Sequence, residues 1–125
     1  MKFIETDGSK KSSGHYSPAV VHNGILYISG QLSIDQLTGN VPQGGIIPET
    51  KQALENLYNI LKVAGVDKND VIQCRIYTPN VEYWDTINAV YAEFFGNHKP
   101  ARAIVPTTDL HHNCLVEIEA IAAVK

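Results

Sequence analysis

Arg102 is the side chain on which this sequence most clearly forces chemistry. It stands in the otherwise apolar, strand-like run Pro100-Ala101-Arg102-Ala103-Ile104-Val105. A guanidinium in such a run needs an anion, because an unpaired buried charge is very costly. Two kinds of anion are open. One is a glutamate of the same chain, Glu117 or Glu119, in a structural ion pair. The other is a ligand carboxylate, which the planar guanidinium fork can hold through two hydrogen bonds. Glu117 can pair with Arg75 or Arg102, or it can position and deprotonate a water as a general base. Tyr16 and Ser29 offer hydroxyls to a small ligand or to ordinary structural hydrogen bonds.

Other reactive side chains form no convincing pattern. His111, His112 and Cys114 lie close in sequence, while His15, His22 and His98 are scattered. None fits H-E-x-x-H or C-x-x-C, and adjacent histidines in an extended segment point to opposite sides, so no metal site is expected. Cys74 and Cys114 lack a nucleophile motif and read as packing residues. There is no G-x-G-x-x-G, Walker or G-x-S-x-G sequence, and Gly44-Gly45 is too little for a phosphate loop.

These residues must be positioned by strands and helices. Asn23-Gly24, both tolerant of positive φ, join Ala19-Val20-Val21 to Ile25-Leu26-Tyr27-Ile28 in a predicted hairpin that runs on through Ser29-Gly30-Gln31. Gly30 leaves room for a ligand or a backbone. A helix is expected from about Pro48 to just before Gly65, with Ala53, Leu54, Leu57, Tyr58, Leu61 and Ala64 on its apolar face and Lys51 and Glu55 paired on the other. Val71 to Tyr77 reads as a strand. A second helix should run from about Val81 to Phe95, capped by Asn80 and ended by Gly96, with Trp84, Ile87, Tyr91, Phe94 and Phe95 as its buried stripe. Ala101–Val105 and Leu115–Val124 complete the strands, with a further one expected at Lys2–Glu5. Loops are expected at Asp7–Gly14, Ser33–Gly45 and His111–Asn113.

The last strand has two unlike faces. Val116, Ile118, Ala120, Ala122 and Val124 are uniformly apolar, whereas Leu115, Glu117, Glu119, Ile121 and Ala123 mix carboxylates with apolar groups. Two helices can cover only one side of a five- or six-stranded mixed sheet. The predicted architecture is therefore α+β, with both helices on one face and the other face closed by further copies of the chain, leaving polar clefts at the seams.

The bulk composition agrees. The 125 residues suit one domain, 1–125, and 44% hydrophobic against 18% charged residues indicates a packed core rather than disorder. The formal net charge is −3 and no basic block stands out, so the electrostatic footprint of a dedicated duplex-DNA binder is missing. No apolar run approaches the roughly 18 residues that a membrane span needs. The two cysteines fit a reducing compartment, and the first residues have no apolar signal core, so a cytoplasmic location is expected.

Five segments together resemble the reactive intermediate deaminase family, also called YjgF or L-PSP. They are Gly14-His15-Tyr16-Ser17-Pro18-Ala19-Val20, Leu26-Tyr27-Ile28-Ser29-Gly30-Gln31, Asn88-Ala89-Val90-Tyr91-Ala92-Glu93-Phe94-Phe95, Pro100-Ala101-Arg102 and Val116-Glu117-Ile118-Glu119-Ala120-Ile121-Ala122. The resemblance implies a chorismate-mutase-like α+β fold and a homotrimer with sites at its subunit interfaces. It implies hydrolysis of 2-aminoacrylate and other 2-imino acids to 2-oxo acids and ammonia, with no metal or organic cofactor. Arg102 matches the carboxylate-binding arginine, Glu117 the glutamate that orients the water, and Tyr16, Ser29, Gly30 and Asn88 other pocket positions. The chain departs from the family pattern at His15, Pro18, Pro106, His111 and His112. The resemblance also keeps two alternatives: an endoribonuclease on single-stranded RNA that inhibits translation, against which the acidic balance weighs, and a small-ligand-binding trimer without catalysis.

Overall fold

The strands are β1 (Lys2–Ile4), β2 (Ala19–His22), β3 (Ile25–Leu32), β4 (Val71–Thr78), β5 (Ala101–Pro106) and β6 (Glu117–Ala123). In the computed structural model, which describes residues 1–11 and 13–125, they form one six-stranded sheet in the order β1-β2-β3-β6-β4-β5. Only β4 and β5 are parallel; every other pairing is antiparallel. The expected mixed α+β sheet is present, and the N-terminal strand is real.

The β2–β3 hairpin turns on Asn23 and Gly24, at φ 51° and 77°, the left-handed pair that matches the twist of the strands. Helix α1 spans Ile46–Val63 and ends where Gly65 takes φ 75°. It starts two residues before the expected point, so Pro48 is its third residue. Proline is tolerated there because first-turn N–H groups have no partner within the helix. Ala53, Leu54, Leu57, Ile60 and Leu61 are buried on its inner face. Lys51 and Glu55 are exposed but form no ion pair with each other.

Helix α2 (Trp84–Phe95) is entered through a single 3₁₀ turn, Val81–Tyr83, whose Glu82 N–H is capped by the Asn80 side chain at 2.9 Å. The turn replaces the first turn of the longer helix expected from the sequence. Ile87, Val90, Tyr91 and Phe95 are buried, but Trp84, expected in that stripe, is 40% exposed.

The two faces of β6 separate as their pattern predicts. Val116, Ile118, Ala120 and Ala122 belong to the core, whereas Glu117, Glu119 and Ile121 remain partly accessible on the face without helices. The entry to β6 is pinned by both backbone groups of Leu115. Its N–H donates to Glu49 Oε1 at 2.9 Å, and its carbonyl accepts from Thr78 Oγ1 at 2.8 Å. Glu49 is buried in the first turn of α1 and also accepts from Ser33 Oγ at 2.7 Å. One carboxylate thus joins α1, the end of β3 and the start of β6, which sets the phase in which Glu117 emerges.

Among the described residues no helix is long and apolar enough to cross a membrane.

Candidate functional site

Glu117, Tyr16, Ser29 and Gly30 meet in a cleft of about 500 Å³ on the helix-free face. A bulge in β3 brings this about. Ile28 pairs with Ala120 and Gln31 with Ile118, so Ser29 and Gly30 together oppose the single residue Glu119. A Cβ on Gly30 would stand 2.9 Å from Glu117 Cδ. The space that glycine leaves is therefore filled by this chain's own carboxyl group. Ser29 makes the structural bond foreseen for it, donating its Oγ to Ser17 O at 2.7 Å. Tyr16 is 63% exposed at the rim.

Four residues outside the expected site set also line this cleft: Leu32, Tyr77, His111 and Glu119. Tyr77 donates its hydroxyl to Glu119, and Arg75 lies 3.9 Å from the same carboxylate. Glu119, not Glu117, is thus the partner of Arg75. The signal was available, since Tyr77 and Arg75 stand opposite Glu117 and Glu119 across the β4–β6 ladder. The hydrogen bond to Glu119, with burial and that carboxylate's charge, raises the Tyr77 hydroxyl above its ordinary range. Glu117 makes no ion pair among the described residues. Burial, reinforced by the negative Glu119 alongside, pushes its carboxyl above the usual range, while His111 pulls it partly back. A carboxylate raised in this way is a better base toward a bound water. A larger recess of about 750 Å³ shares Tyr16, Gly30, Leu32 and His111 with the cleft and extends along α1.

His111 reaches the cleft because the segment is not extended. His111–Asn113 is a 3₁₀ turn with His112 and Asn113 at φ 59° and 55°, which brings the two imidazoles together, centroids 3.9 Å apart and planes tilted by 56°, instead of sending them to opposite sides. Cys114 is fully buried beside this turn, and no group of three or more potential ligands among the described residues is arranged to hold a metal ion.

Arg102 and Asn88 form a separate constellation. Arg102 pairs with Cys74 across the parallel β4–β5 ladder, and Cys74 pairs with Ala120, so all three face the helices. Nη1 of Arg102 donates to Asn88 Oδ1 at 2.9 Å, and its Cζ lies 4.8 Å from the Tyr91 ring centroid and 5.3 Å from that of Trp84. The ion pair with Glu117 or Glu119 that the sequence left open does not form, since those carboxylates lie on the opposite face of the sheet. Below the guanidinium, burial pushes the Cys74 thiol up to about 11, which makes it inert. Burial also raises the Tyr91 hydroxyl, which has no conventional hydrogen-bond partner among the described residues.

The fold is α+β, with a polar cluster on each side of its sheet: the cleft around Glu117 and the Arg102–Asn88 pair. Residues 7–124 match the family model described as Endoribonuclease L-PSP. The chain is 43% identical to a RutC family protein of Pyrococcus horikoshii over 119 residues, 95% of this chain and 94% of that one. It is 40% identical to the 2-iminobutanoate/2-iminopropanoate deaminase of Mus musculus over 121 residues, 97% of this chain and 90% of the relative. The crystal structure of E. coli TdcF with bound serine superposes with a TM-score of 0.92 at 30% identity and covers 100% of both chains. This chain belongs to the Rid/YjgF/L-PSP family.

Proposed function

We propose that this protein hydrolyses 2-imino acids to 2-oxo acids and ammonia, in clefts formed between the copies of a homotrimer. One observation carries the reading: Arg102 is oriented by Asn88 and two aromatic rings but has no carboxylate of its own. A bidentate substrate carboxylate completes it. Glu117 lies on the far side of the sheet, and β4 separates its strand from β5. Strands are spaced about 4.8 Å apart, so a three- or four-carbon acid cannot touch both groups within one chain. β5 is an edge strand, free to approach the helix-free face of a neighbour. That face also exposes Phe3 and Tyr27, apolar surface of the kind that subunit contacts cover.

In this arrangement Arg102 of one copy holds the carboxylate and Glu117 of the next takes a proton from a water. The water oxygen bonds to the imine carbon, and the C=N pair moves to nitrogen. The nitrogen takes the proton held by Glu117 to give the carbinolamine, then the proton released by its hydroxyl, and leaves as ammonia as the C–N bond breaks and the C=O forms. Atoms and charges balance with water alone. Orientation of two bound reactants supplies up to about 7–11 kcal/mol in the best cases. The mouse relative's name supports this substrate class, and serine bound to TdcF supports a small amino-acid-like ligand for this fold.

Ammonia release from 2-iminobutanoate generated in the cuvette by a pyridoxal-phosphate dehydratase tests the reaction, and sedimentation velocity tests the assembly. A monomer at micromolar concentration, or release no faster than in buffer, would refute the proposal. Cleavage of single-stranded RNA is the second reading, favoured by the description of the matched family. Its net charge of −3 gives the chain little grip on phosphates. Loss of RNA cleavage in Arg102→Ala with imine hydrolysis intact would reverse the order of the two.

A further inference from the structure

We propose that Trp84 is a positioning residue for the Arg102 clamp: with Asn88 and Tyr91 it forms a cradle on α2 that decides which edge of the guanidinium meets a ligand carboxylate. The proposal rests on the reading of Arg102 given above. Trp84, Asn88 and Tyr91 stand at i, i+4 and i+7 and so share one stripe of α2. Each of them contacts the guanidinium: Asn88 Oδ1 accepts from Nη1 at 2.9 Å, and the Tyr91 and Trp84 ring centroids lie 4.8 and 5.3 Å from Cζ. The rings attract the cation through their faces, which leaves its hydrogen-bonding edge unobstructed. Asn88 occupies one N–H direction. No other hydrogen bond from the guanidinium is made to the described residues, so its remaining donors are left for a ligand.

Trp84 differs from the other large residues of its helix. It is 40% exposed, whereas Tyr91 is 6% exposed and Ile87 fully buried. Trp84 is thus only partly taken up by the core, and its ring lies against the Arg102 guanidinium. A long arginine side chain free to rotate must be ordered when the ligand binds. One already held by three contacts has lost that freedom beforehand, and affinity gains.

Trp84 is the chain's only tryptophan, so its emission reports on this site alone. The experiment compares wild type, Trp84→Phe, Trp84→Ala and Arg102→Met. It measures tryptophan emission where Trp84 is retained, calorimetric affinity for 2-oxobutanoate, steady-state imine hydrolysis and thermal melting. Arg102→Met should shift Trp84 emission in the ligand-free protein, and 2-oxobutanoate should change the wild-type emission saturably. Trp84→Ala should weaken 2-oxobutanoate binding and raise KM by about 3- to 30-fold, with kcat and melting temperature much less affected. Trp84→Phe should restore most of the affinity. Wild-type affinity and KM in Trp84→Ala, or emission indifferent to Arg102→Met and to ligand, would overturn the cradle while leaving the deaminase reading intact. Binding that depends on Trp84 in a protein without imine turnover would refute the deaminase reading and leave the cradle standing. A protein that neither binds 2-oxobutanoate nor hydrolyses imines overturns both.

Discussion

Gly30→Ala tests whether Glu117 acts from the position in which the fold holds it. The new Cβ would stand 2.9 Å from Glu117 Cδ, 3.1 Å from Oε2 and 3.3 Å from Cγ. Ordinary carbon–carbon contact requires about 3.5–4.0 Å, so the carboxyl must retreat by roughly 1 Å. The backbone does not resist the change, because Gly30 is not among the glycines with positive φ. Replacing glycine at a compatible position gains about 0.4–1 kcal/mol through the unfolded state. Crowding costs about 1–3 kcal/mol, toward the lower end here because the neighbour is a flexible side chain. The fold should therefore survive with a small change in melting temperature. Catalysis should not, since a misplacement of about 1 Å can cost on the order of 100-fold. Steady-state imine hydrolysis should show kcat down about 10- to 100-fold, and adding Gly30→Ala to Glu117→Gln should remove little more, as for two changes acting through one group. Turnover close to wild type in a folded Gly30→Ala protein would refute the reasoning, as would fully additive losses.

Glu49→Ala leaves Ser33 Oγ and Leu115 N–H without their buried acceptor; urea unfolding should show a loss of about 2–4 kcal/mol, and Glu49→Gln, which keeps an acceptor oxygen, much less. Glu117 has a folded-state pKa above its unfolded one, because burial and Glu119 disfavour its charge. Its ionisation therefore works against the fold at pH values above the carboxylate range and has no effect where both states are protonated. Glu117→Gln, with most but not all turnover lost, should melt higher than wild type at neutral pH, with the advantage vanishing as pH falls through the carboxylate range. Denaturation scans at stepped pH check this, and an advantage that grows in acid would contradict it. Native-state titration with a thiol reagent should leave Cys74 unmodified, since it is fully buried and its thiol is pushed up to about 11.

The parts of this fold that follow local rules were legible in the sequence. Asn23-Gly24 announced the hairpin, and the odd–even contrast along β6 predicted which face the helices leave open. Glu117, Tyr16, Ser29 and Gly30 proved to be neighbours. The misses share a physical origin. Helical periodicity puts Trp84 on the stripe of Tyr91, but it does not reveal that the strand beneath is the sheet edge and offers a guanidinium instead of a core. Alternation within β5 could not say which face Arg102 takes. That follows only from its register with Cys74, and it removes the ion pair with Glu117 or Glu119. The loop expected at His111–Asn113 is a 3₁₀ turn, and nothing local marks its two successive left-handed residues, His112 and Asn113. Nothing local marks Glu49 as a buried acceptor, since its partners Ser33 and Leu115 are 16 and 66 residues away.

Arg102 carries the central claim, and one comparison tests it most directly: imine hydrolysis and thermal melting measured together on wild type, Arg102→Lys and Arg102→Ala. Because the guanidinium has no carboxylate partner of its own, its removal should cost far less than the roughly 3–5 kcal/mol expected when a buried ion pair is broken. The account predicts folded variants of wild-type assembly state, with ammonia release nearly abolished in Arg102→Ala and mostly lost in Arg102→Lys, which keeps the charge but not the fork. A large fall in melting temperature with wild-type turnover per folded molecule would contradict it and make Arg102 a structural residue.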